Sequence, residues 1–362
     1  LLKAIAILSY GVSIFLIGAI LAELRPQWKM TGMLAFAWNP LVLLETAQNG
    51  HNDMLMATLM LASLWALVKG KHAWVMPLLA MSVLVKFMTV LVAPLFALYL
   101  SSMQYAVCSK RERRKAKGER MKAKGNFTRS PAHRPTCSST PPLPHPLTPL
   151  LLRALAHLLI FALLVILPML PLWPGLENWA VLRANSGAGR SALALMVLML
   201  RDFSGTSAAF SMSRLTLHGL WAGIILFLIW KIWRELRTTK DDHYPLTNAL
   251  IFLSWTVLFW YVLLAAPVFH GWYLLWFIPL AILLPPSDRK AERRVKYAIR
   301  PFAHSPFAAT LVFSFTALLV IPYFETLRVW FPILLENHLL GHLIGVTLLL
   351  LPPTIIFWRN TT

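Results

Sequence analysis

Charge is scarce in this sequence of 362 residues: 13% of positions are charged, and 14 acids face 34 Lys and Arg. A soluble globular domain carries about twice that share, because its water-facing surface must be polar. At 58% hydrophobic residues, the chain has more apolar surface than a soluble fold of this length can bury. Cysteine is nearly absent, with only Cys108 and Cys137. That excludes a disulfide framework and any cysteine-based metal spacing. The short alternating segments of a transmembrane β-barrel are missing. So are the P-loop and the GxGxxG, GxSxG and HExxH signatures, each of which would have pointed to a soluble-enzyme chemistry.

The apolar residues come instead in blocks of bilayer-spanning length. They lie near 3–22, 31–48, 54–69, 73–101, 148–173, 216–235, 247–266, 273–285, 306–323 and 339–357. The fold class is therefore all-α, a polytopic transmembrane helix bundle of about 10–11 membrane segments. The formal charge of +20 is concentrated between them. Residues 106–147 hold eleven Lys/Arg against Glu112 and Glu119, and 286–305 hold six against Asp288 and Glu292. Loops this basic stay cytoplasmic, so the charge reads as a topology and lipid signal rather than a nucleic-acid footprint. Three parts follow: an N-terminal membrane part (1–105), a disordered, proline-rich basic loop (106–147), and a C-terminal membrane part (148–362). The sequence opens with Leu1 inside an apolar run, and an upstream portion is expected.

Counting outward from the basic loop places 174–215, 267–272 and 324–338 on the non-cytoplasmic side. The stretch 73–101 decides the other half. As one helix it would be about 43 Å long at 1.5 Å per residue, more than a bilayer core needs. As a hairpin of two short helices turning near Lys86, it also puts Arg25, Lys29, Lys69 and Lys71 inside, where positive charges belong. The hairpin is the expectation. It brings the turn at 49–53, Lys86, the loop 174–215 and the turn at 270–273 to one face.

These places hold the unusual polar groups. Trp38-Asn39-Pro40-Leu41 contains a proline that kinks a helix. Glu45 is an ionisable residue in an apolar stretch, a functional position by default. Asn49-Gly50-His51-Asn52-Asp53 offers two amides, an imidazole and a carboxylate; it also reads as a solvated loop with Asp53 capping a helix from Met54. Lys86, between Val85 and Phe87, needs an anion or water, and a phosphate is its natural partner; snorkelling is the alternative. His270-Gly271-Trp272-Tyr273 reads as a membrane-belt anchor or as a stacking surface for a sugar. Arg183 and Arg190 could clamp a phosphate or contact lipid headgroups.

In order and spacing, Asn39-Pro40, Glu45, His51-Asn52-Asp53 and Lys86, together with Gly271-Trp272-Tyr273, Trp276 and Pro279, resemble the GT-C superfamily of polytopic glycosyltransferases. The bacterial polyprenol-phosphate-mannose-dependent mannosyltransferases are the nearest likeness. The resemblance covers 30–105 and 265–285. It implies inverting transfer of a sugar, mannose by this likeness, from a polyprenyl-phosphate donor to a lipid-linked or glycan acceptor. The transfer would occur at the extracytoplasmic face of the cell membrane. It also implies a carboxylate base in a first outer loop, which does not precede residue 30 here; the base is then expected upstream of Leu1, with Asp53 as the fallback. On the same footing His51 and Lys86 would meet the donor phosphate, Asp53 and Asn49 would orient them, and His270 and Trp272 would meet the sugar or acceptor. No particular cofactor is implied. A divalent metal near Asp53 is compatible with the sequence, although one carboxylate makes a poor Mg²⁺ site. The competing classes are a lipid-linked sugar transporter or flippase, which should show inverted repeats, and a non-catalytic membrane fragment.

Overall fold

The computed structural model describes residues 1–103, 147–172, 189–238, 244–284 and 305–359. The basic loop and Arg183 lie outside them. The described residues are helical, and they carry no strand beyond an isolated bridge between Gly189 and Val268.

The long apolar runs form the long helices: α1 (Leu2–Leu24), α7 (Leu147–Met169), α9 (Thr206–Thr238), α10 (Tyr244–Trp260), α12 (Ser305–Pro322) and α15 (His338–Arg359). Six helices are long and apolar enough to cross a bilayer, and seven if a bent pair counts as one span. The protein is thus a polytopic helix bundle, with fewer full-length spans among the described residues than the sequence count of apolar segments. The difference comes from segments that break. Residues 31–48 divide into α2 (Lys29–Ala37), α3 (Pro40–Leu43) and a π turn (Leu44–Gln48), and 273–285 into a 3-10 stretch (Gly271–Trp276) and α11 (Ile278–Ile282). Polar interruptions and prolines end these helices before they reach spanning length. In the other direction, part of the expected outer loop 174–215 is helical, as α8 (Ala192–Ser204) and the first turns of α9.

Burial sorts the helices. The hydrophobic window of α10 is 78% buried and that of α7 is 11% buried, so α10 is the central post and α7 faces lipid. Around α10 the rings of Trp255, Phe259, Phe277, Phe313 and Phe357 pack edge-on or stacked, with centroids 4.5–6.1 Å apart. Such pairs add stability beyond their buried area.

The stretch 73–101 is a hairpin. α4 (Asp53–Val68) and α5 (His72–Val85) run antiparallel, tied by Ser63 to the Val75 carbonyl (2.8 Å) and Ser82 to the Met56 carbonyl (2.8 Å). Lys86 is extended (φ −159°, ψ 125°) and breaks the helix. α6 (Phe87–Met103), opening with a 3-10 stretch (Phe87–Val92), then runs back to the end from which α5 started. There the Tyr99 hydroxyl meets Thr247 at 2.6 Å, beside Asn248, which accepts from Arg25 at 3.0 Å. Glu23 pairs with Lys69 at that same end. At the opposite end the backbone of Lys3 lies against Gly50. The bundle therefore has two distinct ends. One carries Arg25, Lys69 and the exits toward both basic stretches at Met103 and Leu284; the other carries the 49–53 turn and Lys86.

Candidate functional site

The site is assembled at the second end from four breaks in helical structure. Asn39 is a side-chain N-cap, its Oδ1 accepting from the amides of Leu41 (3.0 Å) and Val42 (3.2 Å), and Pro40 occupies the first helical position. The Asn-Pro pair thus starts a helix rather than kinking one, because proline has no N–H to lose at that position. The short α3 passes into the π turn holding Glu45, and the chain then bends by 117° into α4. Gly50 makes the elbow with φ +72°, a backbone region costly for other residues.

Glu45 is 1% exposed and accepts from Asn49 Nδ2 at 2.8 Å. His51 Nε2 lies 3.4 Å from the same carboxylate oxygen. Glu45 is packed so closely on Gly271 that a Cβ there would come within 2.7 Å of its other oxygen. Gly271 is the residue that lets the carboxylate reach His51.

Trp272 lies between two imidazoles. Its ring stacks on His51 with centroids 4.0 Å apart and on His270 at 4.1 Å, the latter with planes only 8° apart. His270 lies between spans. Burial holds it below the usual imidazole range, with Arg190, Lys86 and His51 adding to the effect and Asp53 opposing it, so it is neutral at neutral pH.

The third part is an ion pair. Lys86 Nζ donates to both oxygens of Asp53, at 2.7 and 2.9 Å, and Trp276 Nε1 donates to the same carboxylate. Asp53 is fully buried while the Lys86 side chain keeps 25% exposure. The ammonium also lies 5.6 Å from the ring centre of Tyr273 and 5.7 Å from that of Trp276. Asp53 is the first residue of α4 and makes no cap; its carboxylate is turned toward Lys86 instead. This corrects the capping expectation.

The structure brings together Asn49, His51, Asp53, Lys86, His270 and Trp272. The pairing differs from expectation in one respect: Asp53 orients Lys86, but Asn49 contacts Glu45, and Glu45 contacts His51. Arg190 stands beside this group. Its residue has φ 54°, and neighbouring Gly189 exchanges backbone hydrogen bonds with Pro267 (3.1 Å) and Phe269 (2.9 Å). Its guanidinium pairs with Glu325. Glu45, Tyr273 and Trp276 complete the cluster. Glu45 was conspicuous in the sequence as a buried acid but had no partner there, and the Trp-Tyr-x-x-Trp spacing of 272, 273 and 276 was the only trace of the other two. Among the described residues no group of three His, Cys, Asp or Glu is arranged to hold a metal ion.

Residues 1–102 match the family model described as alpha-(1->6)-mannopyranosyltransferase, N-terminal domain. The N-terminal part of this bundle is therefore similar to a mannosyltransferase-family domain. The matched segment contains the π turn, the 49–53 elbow and Lys86, which is the part of the cluster contributed before the basic loop. The likeness to polytopic mannosyltransferases of the GT-C type thus has a family-level counterpart. No curated protein and no solved structure matches the chain.

Proposed function

We propose that this protein is an inverting mannosyltransferase that takes mannose from a polyprenyl-phosphate donor and passes it to a lipid-linked or glycan acceptor. The reaction would occur at the bundle end opposite the basic loops, which makes that end extracytoplasmic. The observation that carries the reading is Lys86: a partly exposed ammonium in apolar surroundings, fixed by a buried carboxylate and two aromatic faces. Held this way, it is a preorganised positive charge for a phosphate leaving group. A polyprenyl donor needs a site reachable from lipid, and a helix break at the end of a membrane bundle supplies one.

The acceptor hydroxyl must lose a proton as it attacks the anomeric carbon, while the C1–O bond to the phosphate breaks on the opposite face. Asp53 is engaged by Lys86 and Trp276, and is a poor proton acceptor. His51 is the better-placed base. Its Nε2 faces Glu45, which fixes that tautomer and leaves Nδ1 to take the proton, as a carboxylate-oriented histidine does in other enzymes. Trp272 orients the His51 ring by stacking on it, and the neutral His270 stacks on Trp272 in turn.

The test is transfer of labelled mannose from polyprenyl-phosphate mannose in membranes containing the full chain. Lys86→Met should abolish transfer, and His51→Gln should slow it by about 10²–10⁴-fold, the usual scale of general-base assistance. Undiminished transfer by the Lys86 variant removes the donor-phosphate assignment. Undiminished transfer by the His51 variant alone moves the base elsewhere and leaves the transferase reading standing.

A further inference from the structure

Beside the cluster, α12 ends in a π turn (Tyr323–Leu327), followed by α13 (Arg328–Trp330), α14 (Pro332–Glu336) and α15. Phe324 is a hub for positive charge. The guanidinium carbon of Arg190 lies 5.6 Å from its ring centre, that of Arg328 5.9 Å, and the His342 ring packs on it at 5.4 Å. Among the described residues one carboxylate answers the two guanidinium groups: Glu325 pairs with Arg190. Arg328 has no carboxylate within ion-pair distance among the described residues. Its polar contact is a long 3.4 Å approach to His338 Nδ1, and its Nε is buried without a hydrogen-bond partner. A half-buried guanidinium with no counter-ion among the described residues, at the margin of a membrane bundle, is costly unless an anion joins it.

The surroundings say what kind of anion. Leu327, Val329, Trp330, Phe331 and Ile333 are all exposed apolar side chains, with Trp330 72% and Ile333 66% exposed. Facing water they would be a liability; facing acyl chains, with Trp330 and Phe331 at headgroup depth, they are at home. We propose that Arg328, assisted by Arg190, binds the phosphate of an anionic lipid headgroup whose acyl chains lie along the 327–333 segment. The guanidinium fork matches phosphate geometry, and basic pockets at the ends of membrane helices take lipid headgroups in this way. The site adjoins the His51–Trp272–His270 stack through the Gly189–Phe269 backbone bond but shares no residue with the Lys86 centre. It does not depend on sugar transfer.

The test uses the full chain in neutral detergent, titrated with phosphatidylglycerol or with diacylglycerol and read by native mass spectrometry, with no sugar donor present. The wild type should retain phosphatidylglycerol in preference to diacylglycerol; equal retention overturns the proposal without any variant. Arg328→Gln should weaken phosphatidylglycerol binding by about tenfold, the equivalent of ~1.4 kcal/mol, and Lys71→Gln at the other end should not. Equal effects of the two variants would mean diffuse charge attraction and would overturn it. So would unchanged binding by Arg328→Gln. Millimolar inorganic phosphate should leave the lipid bound; displacement would show a soluble-anion site instead of a lipid site.

Discussion

Asp53 and Lys86 are each other's reason for being where they are. A fully buried carboxylate and an ammonium at 2.7 Å satisfy one another, and removing either leaves a charge in apolar surroundings. Asp53→Asn keeps the shape and the contact with Trp276 but strips the charge that holds Lys86. The cost of breaking a buried pair is about 3–5 kcal/mol; the residual exposure of Lys86 places this one near the lower end. Lys86→Met should cost a similar amount by stranding Asp53. The double variant Asp53→Asn/Lys86→Met should be more stable than either single one, because no uncompensated charge remains. Thermal unfolding of the four proteins in one detergent measures this coupling. Additive losses would mean the pair is not an energetic unit. Both residues were conspicuous in the sequence as polar groups in apolar neighbourhoods. Their pairing was not, because a separation of 33 positions is closed only by the α4–α5 turn.

At the scale of elements, the breaks matter more than the helices. Among the described residues, π turns occur at Leu44–Gln48, Tyr261–Ala265 and Tyr323–Leu327. All three lie at the site end, where they deliver Glu45, the approach to His270, and Glu325. Such widened turns are frequent at functional sites because they re-aim side chains that a regular helix would bury elsewhere. They leave no periodic trace in a mostly apolar run, which is why 247–266 reads as one span and 31–48 as one span kinked at Pro40. Lys86 was different: its charge and the excess length of 73–101 marked the hairpin in advance. Gly50 tests the elbow. A side chain there meets positive φ and would press on the Lys3 backbone, with a Cβ–Cα distance of 3.2 Å. Gly50→Ala should lower stability by about 1–2 kcal/mol from the left-handed conformation alone, while Gly70→Ala should cost only that conformational part, since nothing lies within 4 Å of its Cβ. A comparison of their melting temperatures reads the difference as the contact between the elbow and α1.

For the whole molecule, the consequence of these contacts is polarity between two ends. Tyr99–Thr247, Arg25–Asn248 and Glu23–Lys69 mark one; Lys3–Gly50, His51–Trp272 and Lys86–Asp53 mark the other. Hydropathy and loop charge alone were enough for the fold class and for this separation, because both depend on bulk composition. The convergence of His51, Trp272 and His270 from distant segments was legible only as a sidedness argument, since stacking leaves no pattern in sequence. Sidedness therefore decides whether the cluster can meet an extracytoplasmic donor. The two native cysteines, Cys108 and Cys137, both fall in the basic stretch, while Glu336 is exposed near the site end. In right-side-out membrane vesicles a membrane-impermeant maleimide should spare the native cysteines. It should label Glu336→Cys in a chain carrying Cys108→Ser and Cys137→Ser. Inverted vesicles should give the reverse pattern. Labelling of the native pair from outside, with position 336 silent, would turn the bundle over: the Lys86 centre would then face the cytoplasm, where the charge on the basic stretches could no longer have set the orientation.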